Sequence, residues 1–244
     1  MHQQSIALIA LLVLGSSSAY AAEKLSMKNS YPSEGVSKYS TSKGFYLTLG
    51  TGFGVGEEAN ISAGSSTLEA DEIGTSSVFS GAFGFRFSKN IRTELELVYH
   101  PDFAVDEKFL TSGIEVETKA EISSLASFAN VYYDIPLGRV TPFVGAGIGF
   151  SRNELFDISN TAMTGPFTGQ SIISNGDNKT SFAWQLIVGC SIPIRDSLAL
   201  DLSYHYMDLG DLTTGHNSYG GISVPPQTGD LQSHCFRIAV TYKF

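Results

Sequence analysis

The chemically distinctive side chains of this 244-residue chain are a few isolated polar and charged residues. They occupy alternate positions in segments whose other residues on that side are mainly Gly, Ala, Ser and Thr. A buried charge without a partner costs several kcal/mol, so these residues are expected to pair with one another inside the protein. We expect a buried polar network, with Arg86 near Glu94 across a hairpin, formed by Arg86, Arg92, Glu94, Glu96, Gln185, Asp201, His205 and Arg237.

Catalysis by a serine, a histidine and an acid would use the same residue types. A nucleophile needs its base within hydrogen-bond reach. Residues 216–218, His-Asn-Ser, are the one loop cluster of that kind, and His205 with Asp201 is expected to face the interior. We therefore predict no catalytic residues. His100 and His205 are single histidines near acids, which favours network or rim positions over metal ligation, and no metal or cofactor is predicted.

The last stretch of the chain, residues 234–244, shows which element positions such residues. Large apolar side chains alternate with Cys, Arg, Ala, Thr and Lys, and a period of two predicts a β-strand. Such a strand could close a barrel or form the edge of a soluble sandwich. The apolar positions are Phe236, Ile238, Val240, Tyr242 and Phe244.

Seven further segments alternate in the same way, and the connections between them are short and long in strict turn. In an up-and-down barrel this places every long connection at one end, as in membrane-spanning barrels. The predicted fold is an all-β, eight-stranded, up-and-down antiparallel transmembrane barrel. The strands are 44–55, 77–87, 91–100, 122–134, 140–152, 180–192, 197–207 and 234–244. Three short turns (88–90, 135–139 and 193–196) oppose four long outer loops (56–76, 101–121, 153–179 and 208–233).

The face opposite the apolar stripe decides between membrane and soluble barrels. A water-exposed face would be rich in Lys and Glu. Here that face is mainly small residues, which suit a narrow lumen, so the apolar stripe is predicted to face lipid. The alternative is a lipocalin-like soluble barrel with its apolar face turned inward around a ligand.

The N-terminal region is predicted to direct export. Residues 1–21 resemble a secretory signal, with a short apolar run and the small-x-small site Ala19-Tyr20-Ala21, although residues 1–4 contain no Lys or Arg. Residues 22–43 are predicted to form a flexible leader and residues 44–244 the barrel. Cys190 and Cys235 are both expected to be free thiols.

Several short motifs resemble the outer-membrane β-barrel family, which includes the membrane domain of outer-membrane protein A, the opacity proteins and bacterial surface antigens. They are Gly-Phe-Tyr-Leu at 44–47, Asn-Val-Tyr-Tyr-Asp at 130–134, the Gly-rich segment 142–149 and the final Tyr-Lys-Phe. The similarity covers residues 44–244. It implies location in the outer membrane of a Gram-negative bacterium. It also implies recognition of the last strand, through Tyr242 and Phe244, by the barrel-assembly machinery.

An eight-stranded barrel is just wide enough inside for its own side chains. The expected function is therefore structural and surface-interacting, adhesin- or antigen-like. The net charge of −9 is concentrated in the long loops, which suggests cation bridging to lipopolysaccharide or a basic host partner. Nucleic acid is excluded by the lack of a basic patch. A small diffusion channel and a lipid A-modifying enzyme are the alternatives.

Overall fold

The structure is a computed structural model. It describes residues 43–56, 60–63, 66–69, 74–111, 114–166, 168–215, 217–219, 222–224, 226 and 228–244. The chain divides into two compact units, residues 1–35 and 36–244, and all described residues belong to the second. The predicted signal peptide (1–21) and leader (22–43) lie outside the described residues, apart from Lys43.

The described residues form fourteen β-strands. Those of the first half are β1 (Gly44–Gly56), β2 (Asn60–Ala63), β3 (Ser66–Glu69), β4 (Thr75–Arg86), β5 (Ile91–Thr111), β6 (Ile114–Asp134) and β7 (Thr141–Leu155). Those of the second half are β8 (Ile158–Ala162), β9 (Ser171–Ser174), β10 (Asn178–Arg195), β11 (Leu198–Thr213), β12 (Asn217–Tyr219), β13 (Ile222–Val224) and β14 (Thr228–Lys243). No helix in the described ranges is long and apolar enough to cross a membrane.

Eight of the described strands close into a ring. The order is β1-β4-β5-β6-β7-β10-β11-β14, every neighbouring pair is antiparallel, and β14 returns to pair with β1 from Tyr46↔Lys243 to Gly56↔Ser233. Closure leaves no open edge in the ring, which satisfies the backbone groups of the first and last strands. The predicted eight-stranded, up-and-down antiparallel barrel is confirmed.

The apolar stripes point outward. On β14, Phe236, Ile238 and Val240 are each nearly half exposed, while Arg237 and Ala239 between them are buried. The other barrel strands alternate in the same sense. The soluble alternative, with the apolar stripe turned inward, is therefore wrong: the interior is filled by the opposite face.

The two ends of the barrel differ in their connections. At the short-turn end, β4–β5, β6–β7 and β10–β11 are joined by the three predicted tight turns. At the long-connection end, the predicted loops contain much more strand than expected. The predicted loop 101–121 is mostly a continuation of the β5–β6 hairpin, and β8 and β9 add to the β6 side of it.

Two β-bulges explain why the strand ends were predicted too early. Between His100 and Phe103, β5 has one residue more than its partner β6, and β11 has the same excess between Asp208 and Asp211 against β14. A bulge shifts the inward–outward alternation by one residue, so a period of two breaks there although the pairing continues.

Candidate functional site

The lumen at the short-turn end contains a buried ion-pair chain. Asp134, the last residue of β6, accepts from Arg86 Nη1 at Oδ2 (2.5 Å) and from Arg92 Nε at Oδ1 (3.1 Å). Arg92 Nη1 also donates to Glu94 Oε1 at 2.6 Å. All four side chains are almost completely buried. Alternation on β5 brings positions 92 and 94 to the same face, so Arg92 can contact both acids.

Aromatic rings surround the Arg92 guanidinium. Its central carbon lies 4.0 Å from the ring centroid of Tyr132, 4.7 Å from that of Phe143 and 5.8 Å from that of Tyr46. Cation–π contacts of this kind are strongest when the cation is desolvated, as it is here. Gly84 makes room for this arrangement, because a Cβ there would collide with the Tyr46 ring.

Glu96 is the acceptor at the centre of the lumen. Its Oε1 accepts from Arg237 Nη1 at 2.7 Å, and its Oε2 accepts from Asn130 Nδ2 at 2.8 Å and Gln185 Nε2 at 2.9 Å. Gln185 Nε2 also donates to Asn130 Oδ1 at 2.9 Å. Three charge-assisted hydrogen bonds from three different strands thus converge on one carboxylate. Gly147 leaves the space that Asn130 occupies.

His205 extends this centre towards β11. The nitrogen of the Gln185 amide is committed to Glu96 and Asn130, so its Oε1 must accept from His205 Nδ1, 3.0 Å away. His205 is therefore the Nδ1–H tautomer, with Nε2 as an acceptor. Arg237 Nη2 lies 2.5 Å from both ring nitrogens. Because Nδ1 carries a proton in this tautomer, Arg237 can donate only to Nε2, which Ser203 Oγ also approaches at 2.9 Å. Arg237 thereby connects Glu96 to His205.

Asp201 lies beside a small internal cavity. Its Oδ2 accepts from Thr241 Oγ1 at 2.6 Å, and Thr241 in turn contacts Thr48 Oγ1 at 2.9 Å. Its Oδ1 is buried and has no hydrogen-bond partner within the described part of the chain. The cavity, about 30 Å³ in volume, is also lined by Glu94 and Ser203. That volume is about the share of one water molecule in the liquid.

The Ser203–His205 hydrogen bond, at 2.9 Å, is the arrangement in which a serine nucleophile meets its base. Here Gln185, a neutral amide, orients the histidine, and Arg237 competes for the same nitrogen. The adjoining cavity has no room for a substrate. The geometry is that of a packed network. Of the predicted loop cluster, His216 lies outside the described residues.

All eight residues predicted for the network lie buried on the lumen face. The register places Arg86 directly opposite Arg92 and diagonal to Glu94. The two arginines share Asp134, and Glu94 pairs with Arg92. Sequence reasoning missed Asp134 and Asn130, although both share the inward parity of Tyr132 on β6. Among the described residues, the buried lysine, arginine and carboxylate side chains balance: Arg86, Arg92, Arg237 and Lys243 against Glu94, Glu96, Asp134 and Asp201.

Beyond Glu96, towards the long-connection end, large apolar side chains predominate in the lumen, although buried polar residues such as His100, Ser124 and Asn153 lie among them. We call the region from the short turns to Glu96 and Arg237 the polar half, and the cluster beyond it the apolar half. The sequence predicted mainly small residues on this part of the inner face. The large residues were not assigned to it, because many of them follow the bulges or lie within the predicted loops. The apolar half comprises Val78, Val98, Phe103, Ile122, Ala126, Phe128, Leu155, Ala183, Met207, Leu209, Leu212, Leu231 and Cys235.

The remaining predicted residues lie outside the lumen or at its wall. Tyr242 and Phe244 are exposed on the outer surface and pack edge to face, with ring centroids 5.4 Å apart. Their role as an assembly signal stays a prediction. Cys190 and Cys235 are free thiols, as predicted, and Cys235 alone of the two is buried in the lumen. In the part of the chain that the structure describes, no cluster of three or more His, Cys, Asp or Glu side chains could hold a metal ion.

Comparison with known proteins identifies the family of this closed barrel. Residues 7–244 match the family model described as the outer membrane protein beta-barrel domain. The chain belongs to this family. It is an outer membrane β-barrel protein, located in the outer membrane of Gram-negative bacteria, and the resemblance seen in the sequence is confirmed.

Relatives of this outer membrane β-barrel protein include outer membrane protein PagN of Salmonella typhimurium, which is 26% identical over 227 residues, 84% of this chain and 92% of PagN. A candidate adhesin of Rickettsia prowazekii, RP828, is 28% identical over 65% of this chain and 70% of its own. An uncharacterized Brucella suis protein is 30% identical over 151 residues, and the chain spans only 51% of its length. The crystal structure of OprG from Pseudomonas aeruginosa has the same fold, with a TM-score of 0.58 and 16% identity over 84% of this chain and 98% of OprG.

Proposed function

We propose that this protein is a surface-interaction protein of the adhesin type, with a closed lumen and with its long-connection end facing the outside of the cell. The observation that carries the proposal is that both halves of the lumen are filled by side chains. When the interior of a barrel is filled, the polar groups that a partner in water can contact lie at the two ends of the barrel. Its kinship with a candidate adhesin supports the same function.

The long-connection end offers an acidic concavity for such an interaction. A cavity of about 750 Å³ lies where β6, β7 and the start of β10 extend beyond the barrel. Its wall contains Glu121, Glu154, Asp157 and Asp177, with Lys119 as its one basic lining residue in the described chain. Lys119 is itself paired with an acid, Glu117, at 3.3 Å. Such a surface attracts basic groups of a host partner, or divalent cations that bridge to lipopolysaccharide.

The adhesion proposal is tested with charge-neutral variants displayed on bacteria. The variant E121Q/E154Q/D157N/D177N should lose most binding to surfaces coated with a lysine-rich protein, and wild-type binding should weaken with salt because exposed charges are screened. The matched control, E115Q/D230N, removes acids of the same end outside the cavity and should bind nearly as well as wild type. Equal binding by all three proteins, without salt dependence, would contradict the proposed acidic surface.

The closed lumen is tested separately in planar bilayers. Refolded wild-type protein should show no steady single-channel conductance, because the polar half and the apolar half block the same path in series. Steady conductance steps would favour the alternative of a small diffusion channel. The two experiments are independent, since adhesion at the long-connection end does not require a blocked interior.

A further inference from the structure

A group of soft donor atoms surrounds Gly54 in the apolar half. A Cβ at Gly54 would lie 3.0 Å from Ser233 Oγ, 3.1 Å from Cys235 Sγ and 3.3 Å from His100 Cε1. Cys235 Sγ lies 3.8 Å from Met207 Sδ. The position that a side chain of Gly54 would take is therefore bordered by a thiol, a hydroxyl and an imidazole, and a thioether lies 3.8 Å from the thiol.

His100 is the unexplained member of this group. It is completely buried, and neither of its ring nitrogens has a hydrogen-bond partner among the described residues. Its ring stacks on Phe103, with centroids 5.0 Å apart. Buried imidazole nitrogens without partners are costly, so an unpaired histidine requires a specific explanation. In the present ring orientation, neither nitrogen forms a hydrogen bond with the buried hydroxyls nearby, Ser124 on the neighbouring strand and Ser233 beside Gly54.

The ring can present a nitrogen to the sulfur atoms. Rotation of His100 by 180° about χ2 exchanges the positions of Cε1 and Nε2 and leaves the stacking on Phe103 unchanged. No hydrogen bond among the described residues fixes the ring in its present orientation. In the rotated orientation, Nε2 occupies the position of Cε1, facing the space at Gly54 that Cys235 Sγ also faces.

The donor set selects the class of ligand. Thiolate and thioether sulfur atoms are soft ligands that favour monovalent copper, and imidazole accepts the same metal. Hard cations such as Mg²⁺ and Ca²⁺ require several oxygen ligands, whereas the three atoms nearest to a Cβ at Gly54 include a single oxygen, Ser233 Oγ.

We propose that Cys235, Met207 and His100 form a binding site for one Cu(I) ion in the apolar half. The Cys235 thiol loses its proton as the Cu–S bond forms, so binding releases one proton to solvent. The site does not depend on the proposed adhesion, and it revises the expectation from the sequence that His100 is a rim or network residue.

The test uses the full chain, folded in detergent micelles under anaerobic conditions, with Cu(I) as the probe and the chromogenic chelator bicinchoninate as competitor. Wild type should remove one equivalent of Cu(I) from the chelator. C235S and H100F should not, and M207L, which conserves side-chain volume, should bind more weakly by at least about tenfold, the loss typical even of outer-shell changes. The matched control is C190S, whose thiol lies outside the lumen cluster and which should bind like wild type.

Folding of each variant is verified by heat-modifiable gel migration and by the emission of Trp184, the single tryptophan. The proposal is overturned if folded wild type leaves the chelator complex intact. It is also overturned if folded C235S and H100F both retain full binding, or if C190S is the variant that loses it.

Discussion

The lumen changes character within two residues along each of two strands. On β5 the inward residues change from Glu96 to Val98, and on β14 they change from Arg237 to Cys235. In the polar half, Glu96 is tolerated because three donors reach it from three other strands. In the apolar half, the apolar side chains require no specific partner and stabilise the barrel by filling space. Loss of one partner should therefore be more destabilising in the polar half. The groups that remain there are still buried, and their desolvation cost is no longer offset by the lost interaction.

The largest effect should come from Glu96→Ala. It removes the acceptor shared by Arg237, Asn130 and Gln185 and leaves a buried guanidinium without its carboxylate. Removing one member of a buried ion pair costs about 3–5 kcal/mol. We expect a loss of this size in the free energy of unfolding, measured by urea titration in lipid vesicles with Trp184 emission as the readout.

The double variant E96A/R237A controls for the unpaired charge. Its loss in the free energy of unfolding should be smaller than the sum of the losses of the two single variants. The guanidinium that Glu96→Ala leaves without a carboxylate is absent from the double variant. If Glu96→Ala alone cost less than about 1 kcal/mol, water would have replaced the carboxylate and the polar half would be open to solvent.

Leu231→Ala tests the apolar half with a large-to-small substitution. Leu231 is completely buried among the residues of the apolar half. Such truncations cost about 2–5 kcal/mol, depending on how far the cavity collapses. The control is Leu202→Ala on the outer surface, where lipid fills the space left by the missing atoms and the loss should be smaller. Equal losses would mean that the apolar half is not tightly packed.

The polar half could be located from the sequence, whereas only part of the apolar half, such as Val78 and Cys235, could be assigned to the inner face. Arg86, Glu96 and Arg237 were assigned to the lumen because a period of two fixes which face a residue occupies. Their partners depend on register, which places Arg86 opposite Arg92 and brings Asp134 between them. The alternation within one strand does not show which residue lies opposite on the neighbouring strand.

Two large residues of the apolar half were missed because a bulge reverses the inward–outward parity. Phe103 follows the bulge on β5 and Leu212 follows the bulge on β11, so both face inward at positions where the period predicted the outer face or a loop. The backbone pairing that continues through these segments does not depend on side-chain type, and hydrophobic patterning alone cannot reveal it.

A matched exchange of methyl and hydroxyl groups compares the two halves directly. Val98→Thr places a hydroxyl in the apolar half, and Thr241→Val removes from the polar half the hydroxyl that donates to Asp201. Val98→Thr buries one hydroxyl among apolar side chains, and Thr241→Val removes the hydrogen bonds to Asp201 Oδ2 and Thr48 Oγ1, so each should cost about 1–3 kcal/mol by urea titration. A stabilising Thr241→Val would show that Asp201 obtains its hydrogen bonds elsewhere.

The smallest effect should come from Ser203→Ala. Ser203 Oγ and Arg237 Nη2 both approach His205 Nε2, which has one lone pair to offer. Arg237 is charged and also anchored on Glu96, so it is the stronger donor, and loss of the serine hydroxyl should cost less than about 1 kcal/mol. The ¹⁵N chemical shifts of His205 should stay those of the Nδ1–H tautomer, since Gln185 Oε1 still accepts from Nδ1. A larger loss of stability, together with a change of tautomer, would show that the main hydrogen bond of His205 Nε2 is with Ser203. Arg237 would then not connect Glu96 to His205.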